Sequence, residues 1–177
     1  MEDVRNLLTG PVPEVLNCLN AGVYIVDKNR TIVFWNRRAE EITGHKSEDV
    51  IGSKCREEVL AHRDKQGRKL CGTELCPLYR AMVLNQPSEE PLLVYAKTAT
   101  GDRIPLSTSV APIHNPDGDV IGGVEVFRDE SQNVLHMKLA REVHEEMLTT
   151  NMPEDDRLSF DLQYVPVELV GGDFFRV

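Results

Sequence analysis

The sequence predicts an α+β domain: a five-stranded antiparallel sheet with small helices grouped in its middle connection, followed by one long C-terminal helix. Three observations carry that expectation. Two β-rich runs, GVYIVD and TIVFW, come early, and three more, LLVYAKT, RIPLSTSVAPI and VIGGVEVFRD, come late. The residues between the two groups carry helix caps and stops rather than strand alternation, and strands that cluster instead of alternating with helices argue against a parallel α/β sheet. The length of 177 residues with 41% hydrophobic content allows one good core, or one domain plus a piece of another.

The elements follow in chain order. PVPEVLNCLN is a short helical lead-in, in which Cys18 is expected to be core. The runs on either side of Asp27-Lys28-Asn29-Arg30 form a hairpin. Asn36 is placed to cap a helix through RRAEEIT that Gly44 stops, and Ser47 to cap a second through EDVI that Gly52 stops. PLYRAMVLN sets Leu78, Met82 and Val83 at helical spacing. The last three strands are joined by ATGD and NPDG, the second with Pro and Gly where a type I turn favours them. Trp35 and Tyr95, at strand spacing, are expected to be core or cross-strand partners.

Net charge is −9, which argues against a general nucleic-acid binder and against an anionic-membrane binder. No apolar run reaches the roughly 20 residues of a membrane span, and MEDVRNLLTG lacks the order of a signal peptide, so a cytoplasmic location is expected. In a reducing compartment the four cysteines are expected to act as thiols, metal ligands or redox groups rather than as a disulfide framework.

The run AGVYIVDKNRTIVFWNRRAEEITGHKSEDVIG and the later GDRIPLSTSVAPIHNPDGDVIGGVEVFRDES together resemble the two halves of a PAS sensory domain. The resemblance covers residues 12–130, with 1–11 as a lead-in. It implies a sheet wrapped by small helices that in some members encloses a cofactor, and a role in passing signals to an attached output domain.

Beyond it, ESQNVLHMKLAREVHEEMLTT is rich in helix formers, and Leu135, Leu139, Val143 and Met147 repeat every four residues. This apolar stripe with charged flanks fits either a helix packed on its own domain or a parallel connector that pairs two protomers through residues 131–152. From LAREVHEEML to LSFDLQYVPVELVGGDFF the chain resembles the entry into SpoIIE-like metal-dependent serine phosphatases of bacterial partner switching. That resemblance makes 153–177 the start of a phosphatase domain and gives Asp173, the aspartate of G-G-D-F, the role of a catalytic ligand to Mg²⁺ or Mn²⁺. It also implies a phosphorylated anti-anti-sigma-type protein as partner. Further carboxylates would lie beyond Val177, and Arg176 stands where family members often carry another acid, so these residues alone are expected not to be an enzyme.

The segment CREEVLAHRDKQGRKLCGTELC, residues 55–76, crowds Cys55, His62, Cys71 and Cys76 together. Three cysteines and a histidine suit tetrahedral zinc, and such loops also hold iron–sulfur clusters. If a cofactor is bound, Cys55, Cys71 and Cys76 are its ligands and His62 the fourth. Two alternatives stay open: a reversible Cys71–Cys76 disulfide, or three buried apolar cysteines with His62 exposed in the turn around Gly67. Gly52-Ser-Lys-Cys55-Arg56 resembles the flavin-reactive motif of light-oxygen-voltage domains, but Lys54 and Ser107, Thr108 and Ser109 depart from the flavin-binding pattern. A lone His62 in a charged run is also a poor argument for haem. The expected function is signal input to an attached serine phosphatase. The rival is a constitutive dimerisation module without a ligand.

Overall fold

The computed structural model describes residues 3–55 and 59–148. The expected start of a phosphatase domain, with Asp173, and the end of the 131–152 helix lie outside the described residues. The chain divides into two units, Met1–Glu130 and Ser131–Val177.

In the first unit a 3₁₀ turn, Val4–Leu7, and a helix α1, Val12–Asn17, lead into strands β1, Gly22–Asp27, and β2, Ile32–Trp35. Helices α2, Arg37–Thr43, α3, Ser47–Val50, and α4, Pro77–Leu84, precede β3, Leu92–Lys97, β4, Arg103–His114, and β5, Val120–Asp129. The sheet order is β2-β1-β5-β4-β3 with every pair antiparallel. The first and last strands in sequence therefore meet at the centre, and closing that long-range pair encloses all the helices of the middle connection.

Asn36 explains why the hairpin turns into α2. Its Oδ1 accepts the N–H of Ala39, capping the helix, and also the N–H of Val23. Its amide donates to the carbonyls of Leu16 and Ala21, so one fully buried side chain fastens lead-in, β1 and α2. Gly44 ends α2 at φ +75°, a left-handed conformation that glycine adopts without steric cost. Ser47 does not cap α3. Lys46 holds the cap position, and the N–H of Ser47 goes instead to the carboxylate of Glu40, which α2 brings within 2.8 Å.

Two other expectations change. Cys18 is exposed, because no residue of the short α1 is buried. In α4 the buried residues are Leu78 and Ala81, whereas Val83 points to solvent. The reason is the sheet beneath: Leu78 and Met82 pack over Gly123, where a Cβ would meet both side chains, and that contact fixes the helix rotation.

The main core lies between the sheet and its helices and includes Tyr24, Trp35, Leu78, Val94, Leu106, Val110 and Phe127. A smaller cluster on the opposite face joins Val4 to Val23, Ile25, Phe34 and Ile121. In the second unit the described element is α5, Ser131–Leu148, with Leu135, Leu139 and Val143 exposed.

Candidate functional site

The connection from α3 to α4 is folded onto the sheet edge rather than left as a loop. Cys55 N–H bonds to Arg30 O beside β2, and at the other edge Arg63 and Tyr95 exchange both backbone bonds, at 2.9 and 2.8 Å. The polar run 62–70 is a small hairpin: Leu70 N–H reaches His62 O, and the turn Asp64–Gly67 closes with Gly67 N–H on Asp64 O. Asp64 also takes the backbone N–H groups of Gln66 and Arg68, and the Arg68 side chain. Desolvation pulls its carboxyl up, but those hydrogen bonds together hold it below the usual range.

This hairpin turns His62 inward. Ala61, just before it, has φ +41°, a conformation that costs an alanine about 1–2 kcal/mol. His62 is 2% exposed, so the expectation of an exposed histidine is corrected. Its Nε2 lies 3.6 Å from Oε1 of Glu125, too far for a hydrogen bond. Glu125 sits on the central strand β5 and is 1% exposed, with Oε2 accepting the Tyr24 hydroxyl at 2.8 Å. Strand register makes the row: Trp35 faces Tyr24, Tyr24 faces Glu125, and Glu125 faces Val110. Burial, then the Glu125 carboxylate, then Cys55 and Cys71 nearby push the Tyr24 hydroxyl well above its ordinary pKa.

Along this face several buried polar atoms lack a hydrogen-bond partner: His62 Nε2, Glu125 Oε1, Trp35 Nε1 and Thr108 Oγ1. Glu125 was not singled out from the sequence. The alternation along β5 carries the signal, since Gly123, Glu125 and Phe127 share the inward face and a carboxylate between them has no solvent to turn to.

Cys55, Cys71 and Cys76 are all buried, and none of them is in a disulfide. The structure brings Cys71 and Cys76 together as a thiol pair. Cys71 Sγ also accepts the backbone N–H of His62 at 3.2 Å. It does not assemble the four-ligand set: the His62 ring faces Glu125 rather than the sulfurs, and among the described residues no group of three or more His, Cys, Asp or Glu side chains is arranged to hold a metal ion. Flavin does not fit either. The rings of Tyr24, Trp35 and Phe127 lie 5.5 to 6.5 Å apart on the helix-facing side of the sheet, and a flavin ring system there would have to displace them. Haem would take the His62 ring away from Glu125.

An antiparallel sheet of this order, with small helices packed on one face, is the architecture of a PAS domain. The chain belongs to the PAS fold family, which it matches over residues 16–135. Its fold is similar to an RNA-binding light-oxygen-voltage receptor, with 18% identity and a TM-score of 0.57 over 73% of this chain and 35% of that one. It is also similar to a PAS domain from Colwellia psychrerythraea, with 15% identity and a TM-score of 0.56 over 73% and 99% of the two chains. The PAS domain of nitrogen regulation protein NR(II) from Vibrio parahaemolyticus shares 16% identity at a TM-score of 0.51, over 68% and 99%. The chain thus spans about a third of the length of the first of these. No curated protein matches it in sequence. Among the described residues no helix is long and apolar enough to cross a membrane.

Proposed function

We propose that this PAS domain is the sensory input of a protein whose output is a SpoIIE-like serine phosphatase, and that the input is read by the cysteine-bearing connection 55–76. One observation supports the placement of the input above the others. His62, carried by that connection, meets Glu125 inside the core, and Glu125 lies on the strand that leads through Glu130 into α5. A change in the connection therefore has a buried polar contact through which to bias the strand preceding the helix. The thiol reading of the segment needs no rearrangement, whereas a zinc or cluster reading needs His62 to leave Glu125.

Homodimerisation through residues 131–152 belongs to the same proposal, supported by the exposure of Leu135, Leu139 and Val143 on α5. The phosphatase is proposed from LSFDLQYVPVELVGGDFF alone, with Asp173 as a metal ligand, and these 177 residues by themselves are expected not to hydrolyse phosphoesters. The test is to join this chain in frame to a complete SpoIIE-like catalytic domain and follow dephosphorylation of a phosphorylated anti-anti-sigma-type protein with Mn²⁺. Glu125→Gln and the double change Cys71→Ser, Cys76→Ser should shift the rate several-fold without altering its Mn²⁺ dependence. Unchanged rates in both would reduce the domain to a constitutive dimerisation module. Turnover of p-nitrophenyl phosphate by the 177 residues alone, lost on Asp173→Ala, would overturn the expectation about activity.

A further inference from the structure

Two consecutive turns, closed by Thr73 N–H on Leu70 O and Cys76 N–H on Thr73 O, fold Cys71 and Cys76 back toward each other. Gly72 permits the first of them at φ +79°, and both cysteines are 5% exposed. The two sulfurs are not equivalent. Cys71 Sγ accepts the His62 backbone N–H at 3.2 Å. Cys76 stands at the N-cap of the eight-residue α4, where the Tyr79 N–H faces its sulfur without closing a capping bond. One thiol thus stands at the head of a helix and the other under a backbone N–H.

We propose that Cys71 and Cys76 form a dithiol site that hydroperoxides oxidise to an intramolecular disulfide, with Cys76 as the attacking sulfur and Cys71 as the resolving one. This rests on the reading of the 55–76 connection as the input. The Cys71 hydrogen bond lowers the Cys76 pKa to about 7, while the same bond, together with burial, pushes Cys71 up. A depressed thiol carries more thiolate at neutral pH than an ordinary one.

The chemistry balances with the hydroperoxide as the two-electron oxidant. The Cys76 thiolate attacks the terminal peroxide oxygen, the O–O bond breaks, and the departing alkoxide or hydroxide takes a proton and leaves as alcohol or water. The Cys76 sulfenic acid is then attacked by Cys71. The S–S bond forms, the S–O bond breaks, and hydroxide leaves with the Cys71 proton as water. A disulfide sulfur no longer donates S–H and is a poorer acceptor for the His62 N–H, so oxidation loosens the backbone that holds the His62 ring against Glu125.

The experiment treats the reduced 177-residue chain with hydrogen peroxide at neutral pH, alkylates the remaining thiols and digests with trypsin. Cleavage after Lys69 and Arg80 leaves both cysteines in one peptide, 70–80. The expected product is that peptide, unalkylated and lighter by two hydrogens, formed at least about five-fold faster than exposed Cys18 is oxidised in the same molecules. Cys71→Ser should trap Cys76 as a sulfenic acid that a 1,3-diketone labels, and Cys76→Ser should leave Cys71 unlabelled. Recovery of peptide 70–80 alkylated at both cysteines while Cys18 is oxidised overturns the proposal. So does one equivalent of tightly bound zinc or iron, or equal labelling of Cys71 in Cys76→Ser. The wild-type arm needs no variant to fold. If no disulfide forms, yet the double serine variant still shifts the rate of the fused phosphatase, only the thiol chemistry falls and the input reading stands.

Discussion

Replacing Glu125 by glutamine should stabilise the domain. The carboxylate is 1% exposed and receives one hydrogen bond, from Tyr24 at 2.8 Å, while Oε1 has none. Burying an ion costs several kcal/mol after relaxation, and one hydrogen bond to a charged group returns about 1.5–3 kcal/mol, so the balance at this site is unfavourable. Glutamine keeps the shape, still accepts from Tyr24, and turns an N–H₂ toward His62 Nε2. The expected gain is about 1–2 kcal/mol, read as a urea midpoint raised by roughly 0.5–1 M at unchanged slope. Tyr24→Phe should lose about 2–3 kcal/mol in the wild type, because it strips the carboxylate of its one donor, but only about 1 kcal/mol in the Glu125→Gln background. Loss of more than about 1 kcal/mol in Glu125→Gln, or an equal Tyr24→Phe penalty in both backgrounds, would refute the account of a strained buried charge.

Asn36→Ala should cost at least about 3 kcal/mol in chemical unfolding, since it removes an N-cap and strips the buried backbone groups of Val23 and Ala21, and the half-buried Leu16 carbonyl, of their Asn36 partner. For pH, the folded-state pKa of Cys76 lies near 7, below its ordinary value near 9, so its contribution is present above the unfolded pKa and is lost as pH falls through about 7. Cys71 and Tyr24 are raised, so their contributions hold below their unfolded pKa values and fade as pH climbs beyond them. Urea midpoints should therefore climb between pH 7 and 9, and Cys76→Ser should abolish the climb. On dimerisation, light scattering at tens of micromolar should report twice 19.9 kDa, and Leu139→Glu should return the monomer mass.

The sheet was legible because its signals are local. Strand alternation, the Asn115–Gly118 turn and the Asn36 cap each act within a few residues, and the structure closes each of them. The site was legible only in composition. Spacing put Cys71 and Cys76 near each other, but it could not say that Ala61 and the 62–70 hairpin would aim His62 at a strand 63 positions later. That choice is made by long-range pairing. Arg63 bonds to Tyr95 on the edge strand, and once this pair forms, the residue before it must face the core. Ser47 is likewise placed by a distant partner, because Glu40 on α2 takes its N–H and Lys46 holds the cap position.

A histidine and a carboxylate buried together, neither hydrogen-bonded to the other, cost stability that an apolar pair of the same size would not. Within the core two elements of different character meet there. One is the central strand of the sheet, flanked by β1 and β4. The other is a polar segment held to the sheet edges by a few backbone bonds. The segment is the part expected to open first, since only a few backbone bonds tie it to the sheet edges. If the unfavourable contact is kept because it couples that segment to the strand, then Glu125→Gln should raise stability and weaken signalling together. Hydrogen exchange separates the two effects. In Glu125→Gln the amides of 60–71 should become more protected, by about five-fold or more for a local gain near 1 kcal/mol, and peroxide treatment should no longer reduce protection in β5. A variant that is more stable yet still passes the oxidation signal to β5 would show that the coupling runs through other contacts.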